Sequence, residues 1–468
     1  MVSYNFTVKL KSDEESNKFR ESGNDNYMKH NNMNALIFYN KSISYASSKK
    51  VRSLGYANRS AVYLTLGYYK ECMNNIKLAR ENDYPANKLS TLKEREEKCK
   101  NLMLKGETNI AEDPWNFFKL SYPANKKIPG IVDCITLRTT KKFGRGIYAT
   151  KDLKAGDVIS IEEPFLIFLG FNDEYYKRCS NCYKTCMMDL IPCIQTASMM
   201  FCSTDCIDKF YSKSIETDLE LDAEIRTLTE VSASFGGYEE LDDFVYKKDL
   251  KDFKNTIFDF DLSNPEDPEY SKNLAICFLS LSSLKNQYCY QNDSSRFFKY
   301  VSKKTANHVL SLLHLNFMVD ASLNDKKLPT TIFLSLSLFR SLINHACLPN
   351  VFFVLIDNKI VGFVIKPIKA GEQIMQCYYY NGDQSTKFMI FNVHNIKCDC
   401  LKCIYNNYYS KPYTKPETVM KRNYFSKAKE LLKEGWHKLN LGVEEDCDYE
   451  MQNYLILCKL ANYASFPC

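Results

Sequence analysis

The stretch SLINHACLPN, residues 341–350, decides the fold of this chain because of the two segments that follow it. GEQIMQCY (371–378) and CDCLKC (398–403) come next, and all three lie within about sixty residues. Each segment alone is weak evidence for a fold, but the three segments in this order are strong evidence. Together they bring an asparagine–histidine pair, a tyrosine and closely spaced cysteines to one region. The spacing of the cysteines predicts a metal centre in this region.

The overall composition is that of an ordinary globular protein. The chain has 468 residues, 45% of them hydrophobic and 25% charged, which suggests roughly three domains with their own cores. A net charge of +6 over this length is too small to indicate nucleic-acid binding. The first residues lack the apolar core of a secretory signal, and the apolar run 332–343 is interrupted by Arg340. We therefore expect neither a signal peptide nor a membrane segment.

The 19 cysteines are numerous for a chain without a secretory signal, so they are expected to be metal ligands or buried thiols. More than half fall within 179–206 and 347–403, at the short intervals that metal sites use. Others, such as Cys72, Cys99 and Cys277, lie in apolar helical surroundings and are expected to be small core residues.

A self-similar pattern spans residues 16–100 and predicts a helical repeat. Gly23, Ala35 and Tyr39 are matched by Ser60, Cys72 and Ile76 at the same spacings, with an offset close to the ~34 residues of a tetratricopeptide repeat. Small residues at 23, 35 and 60 let paired helices approach closely. Two pairs and a further helix over 87–104 make a short solenoid, so we expect it to dock on the rest of the protein. A peptide-binding groove and structural packing remain equal alternatives.

The pattern changes to strands after Pro123. Residues 131–140, 147–153 and 158–169 are predicted strands, separated by turns over 141–146 and 154–157. Gly144 and Gly146 suit a loop that bends sharply or approaches a ligand. An insertion follows, in which Cys179-x2-Cys182 and Cys202-x3-Cys206 supply the four thiolates of a tetrahedral zinc site.

These features together resemble the SMYD family, in which a MYND zinc finger splits a SET domain, and its branch with N-terminal tetratricopeptide-like repeats. The resemblance implies an α+β multidomain fold: a SET-type β fold with the inserted finger, flanked by the helical repeats and a C-terminal helical segment. The implied domains are, in order, helical repeats (1–108), the first part of SET (129–170), a degenerate finger (179–215), a helical connector (216–304), the SET core (305–394), a post-SET zinc segment (395–406) and C-terminal helices (411–468).

The resemblance also implies an activity, protein-lysine N-methylation with S-adenosylmethionine. Tyr378 matches the tyrosine that steers the target amine, although Tyr379 and Tyr380 follow it directly. The cofactor contacts implied by the family are Phe143, Gly144, Arg145, Gly146, Asn316, Asn344, His345, Tyr378 and Ile396. Asn316 is implied to stand at the start of a strand, because His314-Leu315-Asn316 resembles the start of the family's asparagine-bearing strand.

Two zinc ions are expected, one of them in the finger. Cys347 is implied to join Cys398, Cys400 and Cys403 around the other. The finger of this family normally holds a further ion, for which Cys193 fits the third ligand, but Thr196 and Ser212 stand where two of the others belong. One fitting ligand of four cannot hold a closed site. Cys186 is a spare thiol of the finger.

Two readings of the function stay open. The first is the methyltransferase, acting on a lysine of a histone or non-histone protein. The second is a weak or inactive adaptor or transcriptional co-regulator that binds partners through repeat and finger, because His394 and Ile396 replace aromatic residues of the family. Expected partners are a protein substrate and a peptide in the helical groove, with neither membrane nor direct nucleic-acid binding, and the expected location is cytoplasm, nucleus or both.

Overall fold

The computed structural model describes thirteen parts of the chain. They are residues 9–106, 114–169, 173–184, 190–213, 223–249, 252–281, 298, 300–316, 318–321, 332–347, 349–378, 391 and 396. The chain divides into two compact units, one built from residues 1–116, 169–230 and 467–468 and the other from 117–168 and 231–466. Each unit is described by itself below.

The first unit begins with five helices where the repeat pattern predicts them. They are α1 (Asp13–Met28), α2 (Asn32–Tyr45), α3 (Lys49–Leu66), α4 (Tyr69–Glu81) and α5 (Leu89–Leu104). A second, smaller part follows, which we call the cysteine module (residues 173–213 as far as described). It holds the strands β5 (Ile191–Pro192) and β6 (Met200–Phe201), which pair antiparallel, and helix α7 (Thr204–Lys213).

Local sequence explains where the first helices begin, end and meet. The Ser12 hydroxyl accepts a hydrogen bond from the Glu15 amide and caps α1. Gly67 ends α3 in the left-handed conformation (φ 79°). A Cβ on Gly23 would lie 2.5 Å from the Tyr39 ring, so glycine permits the close contact of α1 with α2. The predicted close approach at residue 23 is therefore confirmed.

The helices pack directly on the cysteine module within this unit. Arg59, fully buried in α3, donates hydrogen bonds to Asn40 and Asn75 and to the Leu190 carbonyl. The Asn40 amide donates to the Tyr176 carbonyl at 2.8 Å. A buried core cluster contains residues of the helices together with Tyr176, Leu190, Ala197 and Met200. These contacts use the helices for structural packing, the second of the two roles considered for the repeat.

The second unit holds two three-stranded sheets and smaller strand pairs. Its strands are β1 (Ile135–Thr140), β2 (Gly144–Ala149), β3 (Val158–Glu162), β4 (Leu166–Leu169), β7 (Met318–Ala321), β8 (Ile332–Leu336), β9 (Asn344–His345), β10 (Val351–Ile356), β11 (Lys359–Val364) and β12 (Met375–Gln376). The three-stranded sheets have the orders β10-β11-β3 and β4-β8-β7, and β1 pairs with β2 as an antiparallel hairpin.

The remaining described helices are short or connect the strands. They are α6 (Pro114–Phe117), α8 (Ala223–Phe235), α9 (Tyr238–Lys247), α10 (Tyr270–Leu279) and α11 (Lys303–Asn316). Among the described residues, no helix is both long and apolar enough to span a bilayer. The predicted C-terminal helices over 411–468 lie outside the described residues, and the domain boundaries stay predictions.

Three predicted features differ in the structure. Gly144 and Gly146 lie in β2 rather than in the preceding turn, because the register Thr140↔Gly144 leaves only three residues for the loop. The predicted strand 158–169 is two strands, since Pro164 lacks the N–H that a continuous ladder needs. Asn316, expected at the start of a strand, is the last residue of α11, and β7 begins at Met318.

Candidate active site and cysteine cluster

The segments 344–350 and 371–378 lie side by side in the second unit. Strands β9 and β12 pair in parallel, with Met375 opposite Asn344 and Gln376 opposite His345. The Asn350 side chain joins the segments further, because its amide donates to the Gln373 carbonyl and its oxygen accepts from the Met375 N–H. The predicted convergence of the first two motifs is thus present in the fold.

The Asn344 side chain holds the loop before β2. Its amide nitrogen donates to the Arg145 carbonyl at 2.8 Å and to the Phe143 carbonyl at 3.3 Å. Gly146 makes this approach possible, since a Cβ there would lie 2.7 Å from that amide nitrogen and 2.1 Å from the Gln373 amide nitrogen. A side chain at 146 would displace both amides from this position.

The start of β2 and the nearby Gln373 offer an unused polar group and open space, which suit a polar cofactor. The Gln373 amide nitrogen is buried and has no hydrogen-bond partner among the described residues. Gly144 has φ 63° and open space where a Cβ would stand, and the Phe143 side chain is 43% exposed. The Arg145 side chain donates to the carbonyls of Lys254 and Ser280 at 3.4 Å. These bonds fix the side chain within the second unit.

His345 has a defined arrangement between Tyr378 and Cys347. Its Nδ1 accepts from the Tyr378 backbone N–H at 3.1 Å, and its Nε2 lies 3.3 Å from the Cys347 sulfur. Since a backbone N–H can only donate, the neutral ring carries its proton on Nε2. That proton faces the sulfur, and Phe391 packs edge-on against the ring at 5.1 Å.

Tyr378 is placed with its hydroxyl inside the protein. The hydroxyl donates to the Ile343 carbonyl at 2.8 Å. Burial raises the pKa of Tyr378 well above its usual value, and the positive charge of Arg340 only partly opposes this effect. The phenol therefore stays protonated at neutral pH, which makes it a hydrogen-bond donor and acceptor rather than a charged base.

Sequence reasoning missed three polar residues that support this arrangement, Gln373, Gln376 and Arg340. Arg340 is only 7% exposed and its Nε donates to the Gln376 side-chain oxygen at 2.9 Å. A charged residue inside the apolar run 332–343 was visible in the sequence and indicated a buried, paired arginine. Nothing in the sequence identified its partner, which lies 36 residues later.

Four cysteines of the first unit form a cluster suited to one metal ion. The sulfurs of Cys179, Cys182, Cys202 and Cys206 all lie within 4.8 Å of one another. The distances from Cys202 are 3.7 Å to Cys182 and 3.5 Å to Cys206. Zn–S bonds of about 2.3 Å place tetrahedral sulfurs about 3.8 Å apart, so the four thiols fit zinc. Hydrogen bonds from Cys182 and Cys202 lower the pKa of the Cys179 thiol, and the same bonds raise the pKa of the Cys182 and Cys202 thiols, so the fit to a metal rests on the sulfur positions.

The side chains expected at the finger's further metal position make other contacts. The Cys193 sulfur lies 3.0 Å from the Tyr211 hydroxyl oxygen. Thr196 donates to the Lys9 carbonyl at 2.9 Å, and Ser212 donates to the Lys209 carbonyl at 3.1 Å. Among the described residues, the four-cysteine cluster is the one group of metal-ligand type. These residues therefore do not fit a further zinc ion.

Several predicted site residues cannot be placed. Cys186, Cys398, Cys400 and Cys403 lie outside the described residues, as do Tyr379, Tyr380 and His394. The backbone of Asn316 is described but its side chain is not. For Ile396 the structure gives one hydrogen bond, from its N–H to the Phe391 carbonyl at 2.8 Å.

Comparison with known proteins gives one family match over half of the chain. The SET-domain model matches residues 144–379. The protein-lysine N-methyltransferase SMYD4 of Danio rerio is 26% identical over 224 residues, which cover 44% of this chain and 29% of that protein. Human SMYD4 is 22% identical over 276 residues, covering 45% and 34%. The chain thus matches about a third of the length of these curated relatives.

A solved structure, the SET domain of LSMT bound to lysine and AdoHcy, covers 54% of this chain and 51% of that chain at 15% identity. Its TM-score is 0.24, too low to support any argument about this protein.

Proposed function

This chain belongs to the SET-domain family, and on that premise we propose that it is a protein-lysine N-methyltransferase that uses S-adenosylmethionine. The observation that carries the proposal is the Tyr378 hydroxyl, buried beside the Asn344–His345 strand with its proton directed to the Ile343 carbonyl. A protein carrying a lysine is the proposed partner.

The Tyr378 hydroxyl is suited to orient an amine. Because the hydroxyl gives its proton to Ile343, its oxygen keeps lone pairs that can accept an N–H from an incoming amine. An amine held this way points its own lone pair away from the tyrosine. Burial around the phenol also disfavours a charged ammonium, so a bound lysine side chain would lose its proton more readily than in water.

Residues 143–145, where the loop leads into β2, and the motif asparagine are the proposed cofactor contacts. S-adenosylmethionine, when bound, would supply the methyl group on a positively charged sulfur, and the neutral thioether would be the leaving group. Main-chain groups of Phe143, Gly144 and Arg145, held by Asn344, would bind its polar parts, and the unpartnered Gln373 amide is a further donor. The chain's own contribution is therefore orientation and the exclusion of water.

Zinc is the metal proposed for the four-cysteine cluster, where it would fix the cysteine module. A second ion is proposed at Cys347 with Cys398, Cys400 and Cys403, of which only Cys347 is described. Cys347 is buried, and its sulfur faces the Nε2 proton of His345.

Two measurements test the proposed activity. Calorimetry measures binding of S-adenosylmethionine, and tritiated cofactor on a protein array measures transfer. We expect binding together with transfer, and we expect Tyr378→Phe to lower the transfer rate by about 10²–10⁴, the usual contribution of a positioned proton-handling group. Binding without any transfer would contradict the methyltransferase and favour the adaptor. Equal rates for Tyr378→Phe and the wild type would contradict the role of Tyr378.

A further inference from the structure

A buried polar pair lies next to the Tyr378 hydroxyl. Arg340 and Gln376 are 7% and 2% exposed, and they bond reciprocally. The Arg340 Nε donates to the Gln376 oxygen, and the Gln376 amide nitrogen donates back to the Arg340 carbonyl, both at 2.9 Å. Burying an arginine and an amide is costly, so their mutual bonds are needed for the fold to tolerate them.

Gln376 of this pair donates to the same carbonyl oxygen as the Tyr378 hydroxyl. The Gln376 amide nitrogen also donates to the Ile343 carbonyl at 3.3 Å, the atom that accepts the Tyr378 hydroxyl at 2.8 Å. Gln376 and Tyr378 are two residues apart, and in an extended segment such residues point to the same face. A carbonyl oxygen has two lone pairs, so it can accept both donors at once.

Residues of β3 and β10 hold the backbone and the side chain of Arg340 in place. Glu162, at the end of β3, accepts hydrogen bonds from the Ser337 hydroxyl and from the Phe339 N–H. The Ser337 hydroxyl oxygen in turn accepts from the Arg340 N–H at 3.2 Å. The Arg340 guanidinium also lies 5.2 Å from the centre of the Phe353 ring. The short turn over 340–342 that carries Arg340 is thus tied to β3 and β10.

We propose that Gln376, held by Arg340, is a positioning residue for the Tyr378 hydroxyl. By fixing the Ile343 carbonyl it fixes the direction of the hydroxyl proton, and hence which lone pairs of the tyrosine oxygen remain for the amine. The catalytic part of this inference rests on the proposed methyltransferase activity, whereas the hydrogen-bond arrangement does not.

The decisive variant is Gln376→Glu. The new carboxylate keeps the size of the side chain and still accepts from Arg340, but it can no longer donate to the Arg340 carbonyl, and the melting temperature reports that structural loss separately. The carboxylate cannot donate to the Ile343 carbonyl, and it offers the Tyr378 hydroxyl a competing acceptor. We expect kcat for methyl transfer to fall about tenfold, the effect of losing one hydrogen bond of ordinary strength in the reacting complex. The KM for the labelled protein and the affinity for S-adenosylmethionine should change by less than about twofold.

Controls separate positioning from stability. Gln195→Glu makes the same chemical change at an exposed residue of the cysteine module and should leave kcat unchanged. The melting temperature of each variant shows whether it is folded. Gln376→Leu, which removes both donor and acceptor, should lower kcat at least as much as Gln376→Glu. If Gln376→Leu fails to fold, Gln376→Glu carries the test alone.

A readout independent of activity is the NMR signal of the tyrosine ring carbon that bears the hydroxyl. In protein with ¹³C at that carbon, the Tyr378 signal is the one missing from Tyr378→Phe. Gln376→Glu should shift this signal, because the hydrogen bonding of the hydroxyl changes, and Gln195→Glu should not. An unchanged signal, or an unchanged kcat in an active enzyme, would overturn the positioning role. No transfer by the wild type together with a shifted signal would instead refute the proposed function and leave the hydrogen-bond arrangement standing.

Discussion

Replacing Arg59 by methionine should strongly destabilise the first unit, because this one side chain connects its helices to the cysteine module. The guanidinium is fully buried and links three helices to the cysteine module through Asn75, Asn40 and the Leu190 carbonyl, at 2.7, 2.7 and 2.9 Å. It also lies 5.3 Å from the centre of the Tyr56 ring. Methionine fills similar space but donates no hydrogen bond.

The size of the effect follows from these three bonds. A hydrogen bond with one charged partner contributes about 1.5–3 kcal/mol, so the three together contribute about 5–9 kcal/mol. Part of this is regained, because methionine avoids the cost of burying a cation. We therefore expect the free energy of unfolding to fall by about 3–5 kcal/mol, the range seen when one partner of a buried charged network is removed.

Urea unfolding followed by helical circular dichroism measures this change, and the rate of Cys193 alkylation reports on the module. Cys193 is 1% exposed, so its alkylation should become faster once Leu190 loses its bond to α3. The matched control is Arg80→Met on α4, where an exposed ion pair with Glu96 is lost and the cost should stay below about 1 kcal/mol. Equal effects of the two substitutions would refute the reasoning.

Three further predictions concern metal, pH and packing. Metal analysis should give two zinc ions per chain, and Cys202→Ser should reduce this to one; three ions in the wild type would contradict the assignment. Burial lowers the pKa of Lys11 to about 8 from 10.5. The unfolded chain therefore binds more protons between these values, and stability should rise with pH from about 8 to 10.5. In Lys11→Met, denaturant unfolding should show a smaller rise, and an unchanged rise would argue against burial of this ammonium. Gly23→Ala pushes a methyl group against Tyr39 and should cost about 1–3 kcal/mol of unfolding free energy, whereas Ser22→Ala at the partly exposed neighbouring residue should cost little.

The helices and the cysteine spacing were predictable because both depend on short-range rules. Apolar and small residues at helical spacing fix α1 to α5, and the close approach at Gly23 followed from its matching position in the repeat. The limits of β2 were not predictable, since the register of a hairpin depends on which residues pair across it. The position of Asn316 at the end of a helix was not predictable either, because α11 continues as far as this residue.

The sequence by itself determined the family, because chemistry restricts which residues stand in SLINHACLPN and GEQIMQCY, and it indicated Asn344 and Tyr378 as central residues. Only the tertiary structure decided that Gln376, held by Arg340, shares the Ile343 carbonyl with Tyr378, and that Arg59 joins the helices to the cysteine module. The physical reason is that a buried donor must find an acceptor wherever the folded chain brings one near. Residues that are far apart in the chain meet only when the core forms.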